Sequence, residues 1–203
     1  MNHEIATILN TYISTLPFAD RLAGVVKPVT FVTGTVDKPV KKTIPVDCGV
    51  SQPDCMAGKY QNLVPNSKYK SIIYWEDNGV TTNSNNTRDF NFTAQLRLVA
   101  WLNLKKLGKT DCNLSALAVT NVLNVLPTAP FNSGIYTRMR INVGQEIIKS
   151  NAIFSKYTYD ESVVQYLMFP FDYFALDVSV DFTILKSCIT DWENGTEIIC
   201  DTK

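Results

Sequence analysis

The sequence predicts an α+β fold: a mainly antiparallel sheet of long strands, two or three helices packed on one of its faces, and an extended hairpin loop. Three observations carry this. Phe90, Phe92, Ala94, Leu96, Leu98, Ala100 and Leu102 alternate strictly with Asn91, Thr93, Gln95, Arg97 and Asn103 between them, the period of a half-buried strand. Phe174, Leu176, Val178, Val180, Phe182 and Ile184 repeat the pattern against Ala175, Asp177, Ser179, Asp181 and Thr183. Ile5, Ile8, Leu9, Tyr12, Ile13 and Leu16 recur at three- and four-residue spacing, which predicts an amphipathic helix over 4–16 closed by Pro17.

The other elements follow in order. Residues 18–24 read as a turn, 29–36 as a strand rich in Val, Thr and Phe, and 40–46 as a strand pushed to a sheet edge by Pro39 and Pro45. The pattern dissolves over 47–70, a long connection that suggests a contact loop. A strand over 71–76 leads to Asp77-Asn78-Gly79, a turn signal, and then to the polar run Thr81 to Thr87, read as the tip of a hairpin whose returning arm is 89–103. A second helix is predicted from an N-cap at Thr110 or Asp111, with Leu114, Leu117, Ala118, Val122 and Val125 as its stripe and Pro127 as its end. Residues 138–143 and 146–154 are strand-like, and Thr158-x-x-Glu161 has the form of a capping box for a short helix through Met168. The chain reads as one structural domain, with a core over about 1–185 and a tail over 186–203.

Composition narrows function. Nineteen basic and nineteen acidic residues cancel, and the lysines and arginines are scattered, which argues against a specific nucleic-acid partner. No apolar run is long enough to cross a bilayer, and Met1-Asn2-His3-Glu4 has no signal-like basic region, so the chain is expected to be made in the cytoplasm with no membrane partner. Five cysteines, Cys48, Cys55, Cys112, Cys188 and Cys200, suit a reducing compartment.

His3 is the only histidine and falls at the N-terminus, where a mobile, solvated ring is expected, so Ser-His-Asp and Cys-His sites are disfavoured. The nearest cysteines, Cys48 and Cys55, are too far apart for a zinc pair, and no second pair exists. No glycine-rich phosphate loop occurs. Asp177 and Asp181 share a strand face that is expected to be exposed, where carboxylates serve solubility. The expectation is therefore a protein that is not an enzyme and has no cofactor and no metal. Val99 and Trp101 interrupt the polar face of the long strand, and an exposed aromatic there would mark a surface that another subunit covers. With Val80, Asn83, Asn85, Asn86 and Arg88 of the hairpin tip they form the candidate subunit contact.

The run Tyr74-Trp75-Glu76-Asp77-Asn78-Gly79, the Asn/Thr-rich segment, then Phe92 to Asn103 and the following helix resembles structural proteins of tailed bacteriophages of Bacteroidetes, crAss-like phages among them. The order of elements over residues 1–185 resembles that of tail-terminator and neck ring proteins. The resemblance implies a tail-terminator-like fold and a virion protein of the head-to-tail region or tail. Such a protein forms a homo-oligomeric ring, for example a hexamer or dodecamer, that meets other neck, portal or tail proteins. The chain departs from the smallest terminators by its 47–70 insertion and its tail after Lys186, which leaves open the choice between neck, connector and terminator. Two rival readings stand beside it: a monomeric cytoplasmic α+β domain holding a small apolar ligand between helix and sheet, and a thiol enzyme built on Cys48 or Cys55, which would need a low-pKa thiolate.

Overall fold

Helix α1 (Asn2–Ile13) lays Ile5, Ala6, Leu9 and Ile13 on the sheet, as its apolar stripe dictates. The computed structural model describes residues 1–47, 61–108, 114–148, 151–158 and 168–186. Among these residues the elements after α1 are β1 (Arg21–Val25), β2 (Lys27–Thr35), β3 (Lys38–Asp47), β4 (Gln61–Asn62), β5 (Ser71–Asn85) and β6 (Asp89–Asn103). Helix α2 (Leu114–Val125), β7 (Phe131–Ser133), β8 (Tyr136–Ile148), a 3-10 turn (Asn151–Phe154) and β9 (Phe171–Leu185) complete them.

Six strands form the main sheet in the order β1-β5-β6-β9-β8-β7, and β2-β3-β4 form a smaller one. Every pair is antiparallel except β1 on β5, so the α+β class with a mostly antiparallel sheet stands as expected. At 15 residues each, β5, β6 and β9 run roughly 50 Å when extended. Both described helices lie on one face. There Ala118, Val119 and Val122 of α2 and the stripe of α1 meet Ile73 and Trp75 of β5, the even-numbered residues of β6 and the even-numbered residues of β9. Polar side chains fix the seating of α1: Asn10 accepts from the Trp75 indole at 2.7 Å and donates to the Ala23 carbonyl at 2.9 Å.

Four expectations change. Residues 21–25 form the parallel strand β1 rather than a turn, because Val26 donates its N–H to the Trp75 carbonyl and carries the chain along β5. Asp77-Asn78-Gly79 does not turn the chain. It is a bulge inside β5, where the register on β6 shifts between Asp77 and Val80 and Gly79 takes φ 102°. The Asp77 carboxylate accepts the Gly79 N–H at 2.7 Å and the Asn2 amide at 2.5 Å, which satisfies the loop locally and ties it to the start of α1. The polar run after it is therefore paired strand, and only residues 86–88 turn. Residues 136–148 are one strand with two register shifts, and 151–154 is a 3-10 turn rather than strand.

The N-cap at Thr110 or Asp111, the 159–167 part of the proposed capping-box helix, the 48–60 part of the long connection, the tail from 187 and all five cysteines lie outside the described residues.

Candidate functional site

The sheet face opposite the helices divides in two. At its proximal end, where β5 begins and β6 ends, Ile72, Tyr74, Val99, Trp101, Tyr173 and Ala175 point outward and are buried under Leu63, Ile153, Phe154 and Tyr157. Trp101 is 1% exposed and stacks on Phe171 with ring centroids 4.7 Å apart. Val99 is fully buried. Both were expected to await another subunit, and the chain covers them itself. Outward apolar residues recur on three adjacent strands at this one end, which is the pattern of a second intramolecular layer.

Glu76 marks the boundary between the two halves. It is 3% exposed, accepts the Tyr157 hydroxyl at 2.8 Å and pairs with the Lys156 ammonium at 2.7 Å, so its charge is compensated where water is scarce.

Beyond Glu76 no described layer covers the face, and its outward residues are polar. Arg97 of β6 grips Asp177 of β9 with Nε 2.7 Å from one carboxylate oxygen and Nη2 3.1 Å from the other. The hydrogen bond to Asp177 raises the Arg97 pKa further above its ordinary value. In the next row Asn83 of β5 donates to Thr93 (2.7 Å), Thr93 donates to Asp181 (2.5 Å), and Asn142 of β8 donates to the other Asp181 oxygen (3.0 Å). Nearer the tip, Asn91 donates to Ser84 at 2.7 Å and accepts from Thr183 at 2.7 Å, and the Thr137 hydroxyl donates to the Thr183 carbonyl at 3.0 Å. Two rows of side chains thus cross four strands at right angles to them. They are set by strand register, which places Thr93 opposite Asp181 and Asn91 opposite Thr183.

The hairpin residues of the candidate contact do not share one face: by register Val80 lies opposite Ala94 and Asn85 opposite Phe90, on the helix side. Val80, Asn83, Asn85, Asn86 and Arg88 are all exposed, and Asn83 is built into the first row. The returning arm does not project alone, since β9 pairs with β6 out to Asp89 opposite Leu185. The free edge is instead the distal half of β5, because β1 reaches only to Trp75.

Asp177 and Asp181 lie on this outer face as expected, each held by the partners named above. His3 is not in a loose terminus: it belongs to the first turn of α1, with its ring against Gly24. Among the described residues no group of three His, Cys, Asp or Glu could hold a metal, and no helix is long and apolar enough to cross a membrane.

On the helical side, a cleft of about 340 Å³ opens between α2 and the end of the sheet. Phe18, Leu102, Leu107 and Leu117 line it, with Lys70 and Lys106 among its walls. Sequence reasoning placed no residue there individually, since the cleft is made by the turn after α1 meeting α2, a tertiary contact with no local signature.

Comparison with protein-family models, with curated sequences and with solved structures finds no match.

Proposed function

We propose that the chain is a non-enzymatic structural protein of a tailed-phage particle, a subunit of an oligomeric ring at the head-to-tail junction, as neck, connector or tail terminator. One observation supports this reading best: a face of long strands, uncovered in its distal half among the described residues, on which side chains are locked in cross-strand rows rather than left as mobile solubilising groups. Fixed polar rows lose little conformational entropy on contact and so suit repeated docking against a neighbouring protein. The resemblance of the 71–103 segment to structural proteins of tailed Bacteroidetes phages, and of the element order to neck ring and tail-terminator proteins, supports this reading of the particle.

The test is mass by size-exclusion chromatography with light scattering over a concentration series, alone and with purified neck or portal proteins of a Bacteroidetes phage. A discrete multimer is expected, weakened by Asn85→Ala/Asn86→Ala/Arg88→Ala with an unchanged melting curve. A strict monomer under both conditions refutes the ring.

The cleft beneath α2 favours a second reading, a monomeric domain that binds a small apolar ligand, because its volume and its mainly apolar lining fall within the range of ligand pockets. That reading predicts a monomer whose melting temperature rises with an apolar probe such as anilinonaphthalene sulfonate, and loss of the rise in Leu117→Glu.

A further inference from the structure

Open strand edges invite pairing with another chain, and folded proteins guard them with charges, prolines, bulges or short length. Four of the open edges described here are guarded in these ways. The distal edge of β5 carries two register shifts, between Asp77 and Val80 and between Thr82 and Ser84. The open length of β3 carries Lys38, Pro39, Lys41 and Lys42, β1 is five residues with a shift, and β7 is three residues with a shift. Among the described residues the outer edge of β2 is less guarded, with Pro28 near one end as its single device of this kind after Lys27. It runs nine residues, Lys27–Thr35, in unbroken register on β3, and no charged residue occurs from Pro28 to Val36.

The ribbon to which this edge belongs is also underbuilt. β4 pairs only with Val46 and Asp47, so the part of β2 and β3 beyond them is two-stranded, an arrangement marginal in water. Val32 is 62% exposed, Val36 98% and Val40 47%.

We propose that the outer edge of β2 pairs antiparallel with β2 of a second copy of this chain across a twofold axis, joining two small sheets into one of six strands. The strand is complementary to itself. Centred on Phe31, the pairing sets Lys27 opposite Thr35 and Thr30 opposite Val32, and brings the two Phe31 rings together as a cross-strand aromatic pair. The lysines of β3 stay three strand spacings from their symmetry mates, roughly 14 Å, beyond the screening length of about 8 Å at physiological salt. Pairing satisfies the outward backbone groups of both copies except opposite Pro28, which has no N–H to donate to Gly34 of the other copy. This inference stands apart from the ring reading, since it follows from the edge and not from the particle.

The test combines sedimentation of the full chain over a concentration series with amide hydrogen exchange. Pairing of copies through β2 is expected, either as a monomer–dimer equilibrium or as the twofold step within a larger multimer, with amides of 27–35 gaining protection as concentration rises. Thr30→Lys/Val32→Lys sets ammonium groups opposite one another in both halves of the pairing and is expected to weaken the dimer roughly tenfold or more. Leu123→Lys, on an exposed position of α2 outside every proposed contact, leaves it unchanged. Circular dichroism melting shows whether each variant folds, and if the double variant does not, the wild-type exchange pattern decides alone. A monomer at all concentrations, a dimer with no added protection in β2, or association that runs past the dimer through β2 each overturns the twofold pairing. A multimer that survives the double variant with β2 exchange unchanged refutes the pairing and leaves the ring reading standing.

Discussion

Truncation of Trp101 separates an intramolecular wall from a subunit contact. The side chain is 1% exposed and stacked on Phe171, so Trp101→Ala removes a large aromatic from a packed layer without help from any other chain. A buried Trp withdraws on the order of 150–250 Å² from water, which at about 25 cal/mol per Å² is roughly 4–6 kcal/mol as an upper bound. Large-to-small changes of this kind cost about 3–5 kcal/mol, a large share of the roughly 5–15 kcal/mol that holds a typical domain together. For a chain of this length such a loss lowers the melting temperature by roughly 10 °C. Urea unfolding of dilute protein is the direct assay: the midpoint of Trp101→Ala should fall sharply at unchanged slope, while Trp101→Phe, which keeps a ring against Phe171, should fall less. A change below about 1 kcal/mol in dilute protein would refute burial by the chain itself and return Trp101 to an intermolecular role.

Three further outcomes are expected. Glu76→Ala removes the hydrogen bond from Tyr157 and the Lys156 ion pair at a buried site and should cost about 3 kcal/mol, whereas Arg97→Ala breaks a part-exposed pair and should cost about 1 kcal/mol or less; urea midpoints in the reverse order would contradict the assigned burial. Burial, with a smaller contribution from the Glu4 charge, pushes Tyr136 up to about 12, and burial with Asp172 raises Tyr173. The unfolded chain releases these protons near pH ~10 while the folded chain holds them, so stability is full below pH ~10 and falls as pH rises toward 12. Tyr136→Phe should make that fall shallower, and identical alkaline profiles would refute the coupling. Gly34 takes φ 95° with the Lys38 carbonyl oxygen where a Cβ would sit, so Gly34→Ala should speed amide exchange over 30–42 and leave α1 protected; unchanged exchange would show that the ribbon tolerates a side chain there.

The parts of the fold that were legible are those in which one face alone is buried. The even-numbered residues of β6 and β9 and the stripe of α1 each meet a single apolar layer, so periodicity reports them directly. Val99 and Trp101 broke that periodicity, and a local reading assigned them to another subunit. Their meaning depends on Phe154, Tyr157 and Leu63, which are distant in sequence and arrive by tertiary packing. Asp77-Asn78-Gly79 carries the chemistry of a turn, and what makes it a bulge is the amide of Asn2 reaching it from the other end of the chain. β1 was missed because five residues, one of them Gly24, have too little pattern to announce a strand that pairs with β5 alone. The outward row of Thr93, Asp181 and Asn142 was legible as polar, but its connectivity waits on the register of four strands.

The unequal covering of the main sheet makes it a cantilever. Among the described residues its root is clamped between two apolar layers, and its distal end leans on one. Local opening draws on the least buried and least paired segments, so the turn at residues 86–88 should exchange its amides faster than the root. The bulge at Asp77 to Gly79 falls where the clamp ends, and by bending its strand there it sets the direction of the outer part of β5. A load applied at the tip would be spread sideways by the Thr93 and Asn91 rows across four strands before it reached the root, so the blade bends as a unit rather than one strand at a time.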